Sequence, residues 1–199
     1  MTKTVSILLS ALLLLLGLLA GCGKDAANTN QTQAPETGVA EPGGENANQF
    51  EKPGDAASPL DGKSLSSIVD LIYQQKDSGL RVSTTDIDLE NAESLKYYTG
   101  LSSADQLKEA VASEALIGSQ AYSLVLVRVK DSSDASSVAQ SMKSGVDPAK
   151  WICVMADDLQ VAGKGDVALL IMVETALADS VTASQIVSAF SAVAGGLDF

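Results

Sequence analysis

The sequence contains no histidine, and this absence excludes several kinds of active site. Without imidazole the chain has no Ser-His or Cys-His catalytic pair, no histidine general base and no histidine metal ligand. Aromatic residues are scarce, at 4% of 199 residues. Basic residues are also few: 13 Lys and Arg stand against 25 Asp and Glu, for a formal net charge of -12. We expect no nucleic-acid partner, because such binding requires clustered cations.

The chain has two cysteines, Cys22 and Cys153, which limits the disulfides it can form. Cys153 lies within the apolar run Trp151–Met155, which predicts a buried, unreactive thiol and a packed Trp151. The alternative is a reactive thiol, which needs a cationic neighbour; Lys150 is the one close in sequence.

A long apolar run near the N-terminus follows a single cation, Lys3. The run covers residues 5–20, which is shorter than the roughly 20 residues of a membrane span and fits the core of a signal peptide. It ends in Leu19-Ala20-Gly21-Cys22, which resembles the bacterial lipobox. The alternative is an uncleaved transmembrane anchor.

The lipobox resemblance implies a specific processing of the N-terminus. The sulfur of Cys22 would take a diacylglyceryl group, and the signal peptidase would cut between Gly21 and Cys22. Two or three acyl chains anchor a protein stably, so the expected location is the extracytoplasmic face of the cell membrane. Cys22 would then be consumed by lipid, leaving Cys153 without a partner for an intrachain disulfide.

Composition divides the remaining chain into a tether and one domain. Residues 1–21 are the predicted signal peptide, and residues 22–61 are predicted to be a disordered acidic tether. Large apolar residues are rare in the tether, so it cannot bury enough surface to offset its ordering entropy. Residues 62–199 are predicted to form a single domain.

Hydrophobic periodicity and capping signals predict the helices. Residues 64–76 have helical spacing, and residues 93–98 form a short helix that ends at Gly100. Further helices are predicted behind the Ser103–Gln106 capping box, over residues 132–143, after Asp147-Pro148 through Met155, and after Thr182.

Three strands are predicted, over residues 121–129, 159–162 and 167–173. The first is apolar on both faces and should be central, and the other two flank a hairpin turn at residues 163–166. Residues 80–92 fit either a short strand or an extended loop. The predicted fold class is α+β, a small mixed or antiparallel sheet of about three strands with helices packed mainly on one face.

The order of these features resembles a known family. Tyr97-Tyr98-Thr99-Gly100-Leu101 precedes an acidic stretch, and Ala162-Gly163-Lys164-Gly165-Asp166-Val167 forms the later hairpin. Together with the lipobox and tether, these motifs resemble a lipoprotein family of Gram-positive bacteria, domain of unknown function 4358, over residues 64–195. The resemblance implies location and architecture, and it supplies no catalytic residues.

Few residues suggest a ligand. Tyr97 and Tyr98 are the surface candidates, as a platform for stacking sugars, with packing at a helix end as the alternative. Residues 57–64 loosely match a phosphate-binding loop but lack the preceding strand. Asp86, Asp88 and Glu90 alternate as in a calcium loop but lack its glycine and final glutamate. We predict no catalytic residues, no metal site and no cofactor.

Taken together, these patterns favour a membrane-tethered, non-catalytic binding or interaction module of the cell envelope, with an envelope protein as its partner. One alternative is a structural or assembly accessory of a membrane complex. The other is an envelope enzyme that works without histidine. A single domain cannot supply the two lobes of a solute receptor.

Overall fold

A computed structural model of the protein describes residues 58–199. The predictions made for residues 1–57 lie outside the described residues; they include the cleavage site at Gly21, lipidation at Cys22 and most of the tether.

The described chain has four α-helices and five strands, together with short 3-10 helices at Ser132–Asp134 and Thr175–Leu177. In order, the α-helices and strands are α1 (Leu65–Gln75), β1 (Val82–Asp86), α2 (Ala92–Thr99), β2 (Leu107–Ala115), β3 (Tyr122–Val129), α3 (Ala135–Gly145), β4 (Asp158–Lys164), β5 (Val167–Val173) and α4 (Ala183–Ala194). The strands form one sheet in the order β1-β2-β3-β5-β4, and every neighbouring pair is antiparallel. The α+β class is confirmed, with five strands where about three were predicted.

Helices cover both faces of this sheet, so the prediction of helices mainly on one face was wrong. The centre of the sheet is β3 paired with β5, with Leu126 opposite Leu169. One core cluster joins one face to α1 and α4, and the other joins the opposite face to α2 and α3. Strands covered on both sides become apolar at every position, as β5 is over its full length.

Helices α1 and α4 and the central strand β3 confirm the elements predicted from the sequence at these positions. Ser64 accepts the Ser67 amide at the start of α1, and Thr182 forms a capping box with Gln185 at the start of α4. Strand β3 is central as expected, and the turn between β4 and β5 is where it was predicted. The ambiguous residues 80–92 contain β1, an edge strand.

The helix predicted behind Ser103–Gln106 is wrong, because this segment is strand β2. The Ser103 hydroxyl accepts the Asp105 amide in a turn and does not start a helix. Residues 110–113 are all buried, since β2 is covered on both faces there. Burial on both faces removes the alternation that normally marks a strand, and the remaining apolar spacing imitates a helix.

The folded part of the chain starts before the predicted boundary at residue 62. Leu60 is buried in the same core cluster as α1 and α4. It is held in a turn in which the Asp61 amide donates to the Ser58 carbonyl. The last residues of the predicted tether therefore belong to the core.

Arg128 holds one end of the sheet together. Its guanidinium contacts Glu109 on β2 at 2.7 Å and Asp166 in the β4–β5 turn at 2.6 Å. It also donates to the Lys63 carbonyl, just before α1, at 2.7 Å. We call this the arginine end, and the candidate site lies at the other end.

Candidate functional site

The two tyrosines singled out in the sequence lie at the last turn of α2. Their rings meet edge to face, with centroids 4.8 Å apart and an interplanar angle of 89°. Tyr97 is exposed, and Tyr98 is partly buried against the core. The amides of Glu93 and Ser94 donate to the Asn91 side chain and so fix the start of this short helix.

The glycine of the Tyr-Tyr-x-Gly motif positions this pair. Gly100 ends α2 with φ +75°, a conformation that favours glycine. Its backbone also passes against the end of α3, where a Cβ would lie 2.1 Å from the Val146 nitrogen. Both requirements exclude a side chain at position 100.

Lys150 brings the tyrosines into a larger cluster. Its Nζ lies 4.6 Å from the Tyr97 ring centroid, 5.4 Å from that of Tyr98 and 5.2 Å from the Trp151 ring. Aromatic faces attract a cation at these distances. The three rings and one ammonium thus form an aromatic cage, and its occupant is a side chain of the same protein.

A carboxylate completes the cage. Glu114 Oε1 on β2 lies 2.5 Å from Lys150 Nζ, and the Lys150 side chain is 3% exposed. Nζ also donates to Ser123 Oγ at 3.4 Å and the Tyr97 carbonyl at 3.5 Å. Glu114 and Ser123 are paired across β2 and β3, which places them side by side.

The electrostatics of the cage follow from its burial. Burial lowers the pKa of Lys150, and the Glu114 carboxylate opposes this change. Burial also raises the pKa of Tyr97 and Tyr98, and the nearby Glu114 charge raises both further. The phenols are therefore neutral at physiological pH.

A serine and a lysine within hydrogen-bond distance of each other, here Ser123 and Lys150, are also the elements of a nucleophile and its base. Ser123 is fully buried, so a substrate cannot reach its hydroxyl. The Lys150 ammonium is engaged by Glu114, whereas a general base must be free to accept a proton. The geometry supports a structural role, in which Lys150 fastens its loop to β2 and α2.

Two predictions for the segment that carries Lys150 were wrong: the helix after Asp147-Pro148 and the buried thiol of Cys153. The helix expected after Asp147-Pro148 is absent: residues 148–149 form a turn, residues 151–153 form bends, and the rest of residues 147–156 has no regular structure. The Asp147 carboxylate accepts the Ala149 amide at 2.9 Å, and the Ala156 amide returns to the Pro148 carbonyl at 2.8 Å. The chain therefore closes a loop, which we call the 147–156 loop.

Cys153 is exposed, so the prediction of a buried thiol was wrong. Its φ of +65° lies in the left-handed region, which is uncommon for a residue other than glycine. Trp151 is partly buried against the core, whereas Ile152 is 77% exposed and Met155 is also exposed. The apolar run is thus divided between the core and the surface.

Exposed apolar residues gather at this end of the sheet. Leu116 and Ile117 follow Glu114 by two and three residues, where β2 leads into β3, and Tyr97 contacts Lys150. The exposed large hydrophobic residues of residues 58–199 are Tyr97, Leu116, Ile117, Ile152, Met155 and Leu197. We call the first five of these residues the apolar end; Leu197, near the C-terminus, is not part of it.

The other motifs have structural roles. Ser64 caps α1, and Arg128 binds the carbonyl of Lys63 next to it. Asp88 accepts the Glu90 amide in a turn. Within residues 58–199 no group of three or more Asp, Glu or Cys side chains could hold a metal ion. No helix in this range has both the length and the apolar character to cross a membrane.

Sequence reasoning identified Tyr97 and Tyr98 but missed their partners. Glu114 interrupts an apolar stretch, which indicates a buried charge in need of an opposite one, and Lys150 directly precedes the apolar run Trp151–Met155. Nothing in the sequence says that these two residues pair. Comparison with family models, curated proteins and solved structures found no match to this chain.

Proposed function

We propose that this protein is a lipid-anchored module of the bacterial cell envelope that binds another envelope protein and catalyses no reaction. Leu19-Ala20-Gly21-Cys22 supports the anchor, because an apolar run that ends in two small residues and a cysteine is the pattern that lipidation requires. The resemblance to domain of unknown function 4358 agrees with this location and remains a prediction.

The apolar end is the observation that carries the binding role. Five large apolar side chains are exposed there, including Ile152 and Met155 on one loop and Leu116 and Ile117 on another. Gathered apolar exposure of this kind is typical of protein–protein contact sites. The Lys150–Glu114 pair ties the 147–156 loop to the sheet, so the surface is presented in a fixed shape, which reduces the entropy lost on binding.

The chemistry of the cage argues against catalysis. The Ser123 hydroxyl is fully buried, and the Lys150 amine is paired with the Glu114 carboxylate. The five exposed side chains of the apolar end are aliphatic, thioether or neutral phenol groups, and none of them is a general base.

The anchor is tested by replacing the cysteine. Cys22→Ala should move the protein from the membrane fraction to the precursor or soluble pool and leave it uncut after Gly21. Intact mass of the wild-type chain should show a mature N-terminus at Cys22 carrying acyl groups. An unmodified Cys22 in the wild type contradicts the anchor.

The binding role is tested by photo-crosslinking in intact cells. A photoreactive amino acid at position 152 should give a discrete adduct with another envelope protein. The matched control is position 197, which is also an exposed leucine-sized residue but is not part of the apolar end. Adducts of equal yield at both positions, or none at position 152, contradict the proposal.

A further inference from the structure

A groove lies between the 147–156 loop and the turn that follows β5. It is shallow and open to solvent, with a volume of about 550 Å³. Trp151, Val154 and Met155 form its apolar lining, and Asp157 and Glu174 place two carboxyl groups beside them. The groove adjoins the apolar end through Met155, which belongs to both.

The charge of this groove is entirely negative. Asp157 accepts the amide and hydroxyl of Thr175, both at 2.6 Å, and these hydrogen bonds lower its pKa, so it is ionised at physiological pH. The Glu174 side chain does not cap the short 3-10 helix that follows it, and it is partly exposed, so its carboxylate is accessible to a ligand. No lysine or arginine lines the groove.

We propose that this groove binds a short segment of a partner protein in which apolar side chains stand next to lysine or arginine. The inference rests on the proposed binding function and specifies its partner. The apolar side chains would pack on Trp151 and Met155, and the cations would meet Asp157 and Glu174. Complementary charge at the edge of an apolar contact speeds encounter and selects the partner.

The negative charge of the groove argues against three other occupants: a second copy of the chain, an anionic membrane surface and the chain's own tether. In a symmetric dimer the same patch meets itself, so the two carboxylates of each copy would approach those of the other. A membrane surface rich in anionic lipid attracts lysine and arginine and repels a chain of net charge -12. The chain's own tether is also unsuitable, because residues 23–61 carry 7 acidic and 2 basic residues.

The experiment titrates the full mature chain, anchored in vesicles of neutral lipid, with three synthetic peptides of equal length. The first has a Leu- and Phe-rich centre flanked by lysines, the second replaces the lysines with glutamates, and the third replaces the apolar centre with serines. Trp151 is the one tryptophan in the chain and lines the groove, so its fluorescence reports occupancy. Saturable binding is expected for the first peptide, and binding at least about tenfold weaker for the other two.

Two charge-reversal variants localise the binding. Glu174→Lys should weaken binding of the lysine-flanked peptide about tenfold and strengthen binding of the glutamate-flanked one. The control Asp70→Lys changes the net charge equally but lies on α1 and does not line the groove, so it should change either affinity about twofold or less.

The results separate this inference from the proposed function. Equal binding of the lysine- and glutamate-flanked peptides, or equal effects of Glu174→Lys and Asp70→Lys, overturns the inference. So does the absence of saturable binding by the first peptide. If the crosslink at position 152 persists in any of these cases, the proposed function stands with a partner of different chemistry; if it is also absent, both fail.

Discussion

Lys150 is the residue on which the candidate site depends most, because its side chain joins the 147–156 loop to the aromatic rings and to Glu114 on the sheet. Lys150→Met keeps the length of the side chain but leaves Glu114 facing an apolar group. Breaking a well-buried ion pair in this way costs about 3–5 kcal/mol, and Glu114 is partly exposed, so we expect a loss of about 2 kcal/mol. Urea unfolding followed by far-UV circular dichroism measures it.

The control is Lys143→Met on α3, which removes an exposed lysine and should change stability by less than about 0.5 kcal/mol. The double variant Lys150→Met, Glu114→Gln should recover part of the loss, since it no longer leaves a carboxylate unpaired. A Lys150→Met variant as stable as Lys143→Met would show that the Lys150–Glu114 pair contributes nothing to the free energy of unfolding.

The four tyrosines give a pH-dependent prediction, because burial raises the pKa of all of them. Tyr122 is the most strongly affected; its hydroxyl is buried 3.2 Å from that of Tyr73. A group with a raised folded pKa stabilises the fold below its unfolded pKa, here 10.0, and this contribution is lost as the pH rises further. Tyrosinate absorbance of the folded protein should therefore appear above pH 10.

Tyr122→Phe removes the buried hydroxyl and therefore isolates the contribution of Tyr122 to the pH dependence of the free energy of unfolding. Lys150 acts in the opposite direction, because its lowered pKa makes the fold gain stability as the pH rises towards 10.5. The difference between the wild type and Tyr122→Phe cancels the Lys150 contribution, and the wild type should lose stability more steeply above pH 10. Equal slopes for the two proteins would disprove the assignment.

Among the elements, α2 depends on the contact between Gly100 and the end of α3. Gly100→Ala places a Cβ 2.1 Å from the Val146 nitrogen in addition to requiring φ +75°. Backbone atoms cannot move as a flexible side chain can, so we expect a loss of about 4 kcal/mol or failure to fold. Thermal unfolding of purified protein measures the effect.

Gly165 provides the comparison for this variant. It also has a positive φ, +58°, but a Cβ there meets nothing within 4 Å. Gly165→Ala should therefore cost about 1 kcal/mol, the conformational penalty alone. If the two alanine variants are equally stable, the close approach at Gly100 does not constrain the fold.

The elements differ in how far the sequence predicts them. Helix α1 has a single apolar face, and α4 has both an apolar face and a capping box, so the two helices were predicted correctly. Strand β2 was not, because burial on both faces hides its alternation. The 147–156 loop was missed because Asp147-Pro148 begins a turn as readily as a helix.

For the whole molecule, the least predictable feature is the juxtaposition of distant segments. Tyr97 was identifiable as a surface candidate, but Glu114 and Lys150 come from a strand and a loop that meet it only in the folded chain. Their pairing depends on the register of β2 and β3 and on the path of the loop. Single-sequence patterns contain neither.

Leu60 gives a prediction about where the independent domain begins. A chain starting at Ser58 keeps this buried side chain and should melt like the full-length protein. A chain starting at Gly62 lacks Leu60, and loss of a buried leucine costs about 2–5 kcal/mol. Calorimetry of the two truncated chains measures the difference, and equal melting temperatures would mean that the core does not need Leu60.

The central claim, that the apolar end binds a partner, is tested most directly by the size of the complex that contains this chain. The measurement is native electrophoresis of membranes from the producing bacterium after gentle solubilisation, with Ile152→Ser, Met155→Ser as the variant and Leu197→Ser as the control. Both variants replace exposed side chains and should keep the wild-type melting temperature. The wild type and Leu197→Ser should migrate as the same large species, and the double variant should migrate as the single chain. A double variant that keeps the large species would contradict the claim.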